Sequence, residues 1–130
     1  MASQINEVPV FNSFQEFWPY YLGEHRLIKC RVLHYIGTVA STLLLLFLLA
    51  SQQFVWIPLA LVAGYGPAWI GHFFIEKNRP ATFTYPKWSF MGDYKMCYMA
   101  FTGQLRGELS RLFGNAGTPK KNALYKGTRL

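Results

Sequence analysis

Three histidines are the side chains of this chain best suited to chemistry, and two of them lie at the same depth relative to a central turn. His34 is 18 residues before Gln52, and His72 is 20 residues after it. If both segments are helical, each histidine is about 27 to 30 Å from the turn, because a helix rises about 1.5 Å per residue. His72 and Glu76 are four residues apart and share one helix face. Two histidines and a carboxylate with open positions form a ligand set that suits non-haem Fe(II).

The third histidine, His25, needs a bend in the chain before it can join the same site. It is nine residues before His34, which on a continuous helix means the opposite face and a separation of about 13 Å. We therefore predict a local turn between Arg26 and Arg31. The segment Gly-Tyr-Gly-Pro at 64–67 disrupts the second apolar segment and could tilt its end inward, because proline removes a backbone hydrogen bond.

The elements that must position these residues are two apolar segments. Between Arg31 and Glu76 the chain contains 44 residues without Asp, Glu, Lys or Arg, interrupted only by a polar turn at 51–53. A membrane span needs about 20 apolar residues, so this run is long enough for two. We predict a helical membrane hairpin at residues 31–50 and 54–76. A buried hairpin in a soluble helical bundle is the alternative.

Each candidate site residue also has a simpler interpretation. A histidine at the end of a span is often an interfacial residue bonded to a neighbour, and His72 with Glu76 can form a plain hydrogen bond. Tyr21 lies four residues before His25 and can be an interfacial aromatic side chain. The glycines of segment 64–67 favour close helix packing over a functional hinge. The metal site is preferred because every histidine and Glu76 fall at one end of one hairpin.

Composition limits the remaining possibilities. A length of 130 residues allows one domain, and 52% hydrophobic with 15% charged residues excludes disorder for most of the chain. Cys30 and Cys97 form neither a disulfide framework nor a Cys-x-x-Cys metal motif, which favours a reducing compartment. The net charge is +7. Because no stripe of interleaved basic and aromatic residues accompanies it, we predict no nucleic-acid partner.

Basic residues next to the spans predict how the hairpin is oriented. The turn at 51–53 carries no charge, whereas the outer ends of both spans are basic. By the positive-inside tendency we expect an integral membrane protein with both termini in the cytoplasm. Residues 1–10 lack the pattern of a signal peptide, so the first span itself is expected to target the chain. The basic residues concerned are Arg26, Lys29, Arg31, Lys77, Arg79 and Lys87.

Amphipathic helices are predicted on both sides of the hairpin. A capping box at 13–16 begins a helix that ends near Gly23, and its aromatic side chains suit an interfacial helix on the headgroups. Pro86 begins a second helix, partly interfacial or packed across the hairpin, in which we assign Asp93 with Lys95 to a solvated face. The apolar positions are Phe14, Phe17, Trp18 and Tyr21 in the first helix, and Phe90, Tyr94, Cys97, Phe101, Leu105 and Leu112 in the second. The predicted fold class is therefore all-α, a membrane helical hairpin of two spans with flanking interfacial amphipathic helices.

Three sequence blocks resemble a known family. They are YLGEHR at 21–26, LHYIGT at 33–38 and GHFFIEKNRPA at 71–81. In this order and spacing they are similar to the Mpo-like 2-hydroxy fatty acid dioxygenase family, over about residues 11–102. The resemblance implies an Fe(II)-dependent membrane enzyme that uses dioxygen to shorten a 2-hydroxy fatty acid by one carbon, a step of fatty acid alpha-oxidation.

The resemblance also implies roles for residues within these blocks. His25, His34 and His72 would be the metal ligands, with Glu76 as a further ligand or a proton acceptor. Glu76 is therefore expected to be catalytic. We also predict a catalytic role for Tyr21, four residues before His25.

The composition of the C-terminal residues, rich in Gly, Lys and Asn, predicts a domain division. Residues 1–113 would form a single membrane-embedded catalytic domain. We expect residues 114–130 to form a basic, mobile tail that can hold anionic membrane lipids.

The implied substrate has a charged head and an apolar chain. Arg79 or Lys77, together with Arg31, could pair with its carboxylate. The acyl chain is expected to run between the spans past Leu44, Phe47 and Leu61. Longer family members have additional spans, so a homodimer could complete the pocket here, through a face of small residues at Gly64, Gly66 and Ala68.

Two other function classes stay open at this point. A non-catalytic membrane anchor or adaptor would use the same hairpin without a metal. A haem-binding redox subunit could use His34 and His72 as axial ligands across the hairpin. A di-iron site of the membrane desaturase type is excluded, because it needs many more histidines than three.

Overall fold

The computed structural model describes residues 8–114, and all regular elements in this range are helical. The predicted all-α class is therefore confirmed for these residues, whereas nearly all of the predicted tail at 114–130 lies outside them. The helical elements comprise five α-helices, two 3₁₀ turns and one π-helical turn. In chain order the elements are α1 (Phe14–Gly23), α2 (Ile28–Ala50), a 3₁₀ turn (Phe54–Trp56), α3 (Ile57–Ile70), the π-turn (Gly71–Glu76), a 3₁₀ turn (Ala81–Phe83), α4 (Pro86–Phe101) and α5 (Leu105–Phe113).

Helix α2 and the helical run from Phe54 to Glu76 pack against each other. Each contains 23 residues and is long and apolar enough to cross a membrane, which supports membrane association. Helix α2 begins at Ile28, three residues earlier than predicted. Only 17% of the most apolar part of each run is buried within the structure, so the described residues do not enclose this pair as the core of a soluble bundle would.

The backbones of α2 and α3 approach closely at two glycines. A Cβ atom on Gly37 would lie 2.6 Å from the Gly64 carbonyl oxygen, and one on Gly64 would lie 3.2 Å from the Ser41 side chain. Close packing is therefore the role of Gly64, as expected. A Cβ atom on Gly66 would meet nothing within 4 Å. Of the small residues proposed for a dimer contact, Gly64 and the buried Ala68 are already packed within the chain, and the homodimer stays a prediction.

The second span does not break at residues 64–67. Its proline lies inside α3, and the helix instead widens into the π-turn that begins at Gly71. The π-turn ends at Glu76, and the following residue, Lys77, has a φ of 54°, which lies in the left-handed region. This reversal lets the next residue, Asn78, donate its backbone N–H to the His72 carbonyl oxygen at 3.0 Å. Short π-helical segments are frequent at functional sites.

Aromatic side chains of α1 form a core and do not face outward. The helix begins as predicted, with the Ser13 hydroxyl accepting a hydrogen bond from the Glu16 backbone N–H at 3.2 Å. Phe17, Tyr21 and Leu22 are each at most 1% exposed, and they pack with side chains of α4 and α5. The expectation that these rings lie on lipid headgroups is therefore wrong, because α4 and α5 cover this face of α1.

The second amphipathic segment consists of two helices. The chain turns between them at Gly103, whose φ is 76°. The buried positions of α4 are Ser89, Gly92, Met96 and Cys97. Three residues predicted for its apolar inner face are exposed, namely Phe90, Tyr94 and Phe101. Cys97 and Leu105, which belong to the same predicted face, are buried, so the prediction is right for these two residues and wrong for the three exposed ones. Helix α4 packs beside α2, where the hydroxyls of Tyr94 and Thr42 form a hydrogen bond.

Candidate metal centre

The chain bends between α1 and α2, and this bend brings His25 beside His34. The non-helical residues are 24–27, slightly earlier than the predicted turn at 26–31. The Arg31 guanidinium donates to the carbonyl oxygens of His25 and of the next residue, both at 2.9 Å. These two hydrogen bonds stabilise the bend, and the role of Arg31 in substrate binding stays a prediction.

The three histidine rings converge in one buried cluster. Ring centroids are 4.3 Å apart for His25 and His34, 4.6 Å for His25 and His72, and 4.9 Å for His34 and His72. One ring nitrogen of each lies within 4.8 Å of the others, and the Nε2 atoms of His25 and His34 are 3.0 Å apart. All three residues are at most 4% exposed. The structure thus brings together the three histidines that the sequence places at one end of the hairpin.

Backbone hydrogen bonds fix the tautomers of two of these histidines. His25 Nδ1 lies 2.6 Å from the Tyr21 carbonyl oxygen, and His34 Nδ1 lies 2.9 Å from the Cys30 carbonyl oxygen. A carbonyl oxygen can only accept, so each Nδ1 carries the proton and donates it. The Nε2 atoms of His25 and His34 therefore present lone pairs to each other.

Two facing lone pairs repel each other unless a cation or a proton lies between them. Neutral imidazole is the form that binds metal ions. With metal–nitrogen bonds of about 2.1 Å, the nitrogens of two neighbouring imidazole ligands lie about 3.0 Å apart at octahedral angles and about 3.4 Å apart at tetrahedral angles. The 3.0 Å between His25 and His34 matches the octahedral value. Three histidine donors leave coordination positions open for other ligands. The donor set therefore fits a divalent transition metal, with no preference for Fe(II) over its neighbours.

The electrostatic surroundings keep His25 neutral. Burial lowers the pKa of His25 well below its ordinary value, and the neighbouring His34 and His72 lower it further. A proton therefore competes weakly with a metal ion at this residue near neutral pH.

Glu76 lies apart from the histidine donors and secures the bend. One carboxylate oxygen accepts a hydrogen bond from the Leu27 backbone N–H, and the other lies 3.6 Å from Arg26 Nε. Among the described residues, the cluster of donor atoms contains the three histidines without this carboxylate. The four-residue spacing from His72 is present, but it does not bring Glu76 into the ligand set.

Asn78 contacts His72 and was missing from the residues predicted by sequence. Its Oδ1 lies 2.7 Å from His72 Nδ1. Its amide nitrogen donates to the carbonyl oxygen and to the carboxylate of Glu24, at 2.9 and 2.7 Å. Helical spacing does not predict this contact, because residues six apart, such as His72 and Asn78, are not neighbours on a helix. The position of Asn78 in the third sequence block was the one signal that could have indicated its role. The left-handed Lys77 is what returns Asn78 to the cluster.

Tyr21 lies against the cluster on the α1 side. Its ring centroid is 4.1 Å from that of His25, it stacks on Trp18, and its hydroxyl donates to Asp93. Burial and the Asp93 charge raise the pKa of Tyr21 well above its ordinary value, and burial raises the pKa of Asp93 to about 7. The assignment of Asp93 to a solvated face is therefore wrong. Lys95 lies on the same side, with its ammonium 4.3 Å from the Trp18 ring centroid.

Lys77 and Arg79 lie at an open groove next to the π-turn. Both side chains are exposed, and the Arg79 guanidinium lies 5.2 Å from the Phe83 ring centroid. Asn78 connects the groove to the histidine cluster through its bond to His72. The apolar lining of the groove consists of Phe73, Phe74 and Phe83.

Two of the residues expected beside the acyl chain face outward. Phe47 and Leu61 are 60% and 58% exposed, which places them on the outer surface of the two spans. The contact of Gly37 with Gly64 also closes the space between α2 and α3 at that level. Phe47 and Leu61 therefore do not line a path between the spans, whereas Leu44 is partly buried.

The sequence of the chain matches a known protein family. A sequence model of the 2-hydroxy-palmitic acid dioxygenase Mpo1-like family matches residues 11–105. The chain belongs to this family. The range matched by the Mpo1-like model contains all three histidines and Asn78, so the resemblance seen in the sequence is confirmed. No curated protein and no solved structure shows a significant match to the chain.

Proposed function

We propose that the chain is an Fe(II)-dependent dioxygenase that shortens 2-hydroxy fatty acids by one carbon, as in fatty acid alpha-oxidation. The observation that carries the proposal is the buried histidine cluster, in which the deprotonated Nε2 atoms of His25 and His34 lie 3.0 Å apart. Membership of the Mpo1-like family supports the dioxygenase class. Two helices able to span a membrane support a lipid substrate.

The proposed reaction balances without an added reductant. A 2-hydroxy acid and one O2 give the acid shorter by one carbon, one CO2 and one water. The bond between carbons 1 and 2 breaks, carbon 2 is oxidised from an alcohol to a carboxyl group, and carbon 1 leaves as CO2. The reduction of one O2 accepts all the electrons released. Bound iron would supply adjacent positions for the 2-hydroxy acid and dioxygen.

The chain's own residues hold the ligands and exclude water. His25, His34 and His72 are the proposed metal ligands, and all are at most 4% exposed. Tyr21 packs on the ring of His25, and Glu76 holds the backbone of the bend beside it. Both are proposed to act by positioning the ligands.

The groove next to the π-turn is the proposed binding site for the substrate head. Arg79 and Lys77 would pair with the carboxylate, and the apolar lining would contact the first part of the acyl chain. The rest of the acyl chain would lie against the outer apolar surface of the spans, within the lipid. The bond from Asn78 to His72 connects this groove to the histidine cluster.

The proposed orientation places both termini in the cytoplasm. Basic residues occur at the outer ends of both spans, whereas the turn at 51–53 carries no charge. Membrane lipids would surround the spans, and the basic ends would contact anionic headgroups.

A haem centre does not fit the cluster. Axial histidines need a porphyrin between them, but the ring centroids of His34 and His72 are only 4.9 Å apart and His25 packs against both rings. The competing function is a membrane adaptor without a metal.

Elemental analysis distinguishes the dioxygenase from the adaptor. Detergent-purified protein, reconstituted anaerobically with Fe(II), is expected to hold about one iron per chain. His34→Ala and His72→Ala should lose the iron, while the control Thr84→Ala, at an exposed site, keeps it. Iron-loaded protein should then consume O2 and release equimolar CO2 from 2-hydroxypalmitate. A parent protein that binds no transition metal under these conditions overturns the proposal in favour of the adaptor.

A further inference from the structure

The Asn78 side chain joins two parts of the molecule. Its amide nitrogen donates to the Glu24 carbonyl oxygen at 2.9 Å and to the Glu24 carboxylate at 2.7 Å. Its Oδ1 lies 2.7 Å from His72 Nδ1. The residue thus connects the bend after α1 with the π-turn.

The chemistry of Glu24 determines which atoms donate and which accept in the hydrogen bonds between Glu24, Asn78 and His72. Both oxygens of Glu24 that face Asn78 are acceptors, so the NH2 group of the amide must point to them. The amide oxygen then faces His72, and His72 must donate to it from Nδ1. The Nε2 atom of His72 is left with its lone pair free for the cluster.

The Asn78 side chain supplies the acceptor for the Nδ1 proton of His72, as backbone carbonyl oxygens do for His25 and His34. His25 and His34 each donate from Nδ1 to a carbonyl oxygen four residues earlier. His72 lies in the π-turn and donates to Asn78 instead.

We infer that Asn78 is a positioning residue of the metal centre, and that Glu24 holds its amide in the productive orientation. The inference rests on the proposed function for the identity of the site as a metal centre. It also explains why Glu24, directly before His25, is only 2% exposed: the same contact fixes the bend that carries His25 relative to the π-turn that carries His72. Groups that orient metal-bound histidines typically change metal affinity 10- to 100-fold when they are altered.

A pair of substitutions tests the direction of these bonds. In Asn78→Asp the side chain still accepts from His72, but it faces the Glu24 carboxylate without a proton to donate. We expect Asn78→Asp to weaken Co(II) or Fe(II) binding by about 10- to 100-fold. Adding Glu24→Gln supplies a new donor to the carboxylate introduced at position 78, so the double variant should recover most of the affinity. Asn12→Asp, the same change at an exposed asparagine, is the matched control and should leave affinity unchanged.

A measurement on metal-free protein separates this inference from the proposed function. In protein labelled with ¹⁵N in the histidine ring, the nitrogen shifts should report the Nδ1–H tautomer for His72. Asn78→Leu, which removes the acceptor, should convert this signal to a mixture of tautomers, whereas Asn12→Asp should not change it. If the parent protein binds no metal, the proposed function fails while the tautomer still decides the role of Asn78. An unchanged His72 tautomer in Asn78→Leu, or a double variant that binds metal no better than Asn78→Asp, overturns the inference.

Discussion

The Nε2 atoms of His25 and His34 lie 3.0 Å apart although the residues belong to different parts of the chain. His25 follows α1 in the bend, and His34 lies in α2. Each donates from Nδ1 to a backbone carbonyl oxygen, so neither has a proton at Nε2 for the other. This arrangement is stable when a cation lies between the two nitrogens. The proposed metal site therefore depends on the bend that carries His25 to His34.

Close contact of α2 and α3 should be needed to bring His34 near His72. A methyl group at Gly37 would lie 2.6 Å from the Gly64 carbonyl oxygen, so the helices must separate. We predict that Gly37→Ala destabilises the protein by about 1–3 kcal/mol, as overpacking does, and that it lowers metal affinity. Thermal unfolding in detergent and metal titration measure the two effects.

Gly66→Ala is the matched control for this substitution. It makes the same change in the partner helix, where the added methyl group would meet nothing within 4 Å. Because alanine is the better helix former by about 1 kcal/mol, its stability should be equal or slightly higher. Equal unfolding temperatures for Gly37→Ala and Gly66→Ala would contradict the close helix contact.

Helix rise and hydropathy were sufficient to predict part of the site. Two apolar segments of similar length on either side of a polar turn place His34 and His72 at the same depth, whatever the packing details are. His25 required a bend whose existence could be predicted and whose position could not. The bend depends on long-range contacts, namely Glu76 with the Leu27 N–H and Arg31 with carbonyl oxygens of the bend.

Other residues could not be placed from sequence because their roles depend on tertiary contacts. Asn78 reaches His72 through a left-handed residue that no helical spacing describes. Asp93 resembles a solvated carboxylate in the sequence, but α4 turns it toward Tyr21. The rings of α1 have the composition of an interfacial helix, and only the covering by α4 and α5 makes them a core.

Stability should depend on pH through Asp93. Burial raises its pKa to about 7, whereas an unfolded aspartate has a pKa of about 4. Between these values the folded state binds more protons than the unfolded state, so this group's contribution to stability is lost as the pH rises from about 4 to 7. At about 1.4 kcal/mol per pKa unit, the effect is at most about 4 kcal/mol.

The substitution Asp93→Asn isolates the contribution of Asp93 to the pH dependence of stability. Asp93→Asn keeps an oxygen that accepts from the Tyr21 hydroxyl but cannot ionise, so its unfolding temperature should fall less than that of the parent between pH 4 and 7. Unfolding curves of both proteins across this range measure the difference. Parallel pH profiles would show that Asp93 titrates as it does in the unfolded chain.

Cysteine labelling can test the proposed membrane orientation. Both native cysteines are buried, which gives a low background for a membrane-impermeant maleimide. Gln53→Cys lies in the exposed turn and Thr84→Cys at an exposed site beyond the second span. In sealed vesicles with the cytoplasmic face outward we expect labelling at position 84 alone, and labelling at position 53 only after permeabilisation. Equal labelling of both sites before permeabilisation would mean that the hairpin does not cross the membrane as proposed.

The groove cations should affect substrate binding more than the chemical step. Arg79 and Lys77 are exposed at the groove, away from the histidine donors, and they are proposed to pair with the substrate carboxylate. Arg79→Gln and Lys77→Gln should each raise KM about tenfold, with kcat changed little, because the lost interaction is present in both the ground state and the transition state. Lys87→Gln removes an exposed cation on α4 and should leave KM unchanged. Oxygen uptake at varied 2-hydroxypalmitate concentration measures both constants, and a fall in kcat at constant KM would place these cations in the chemical step instead of in recognition of the carboxylate.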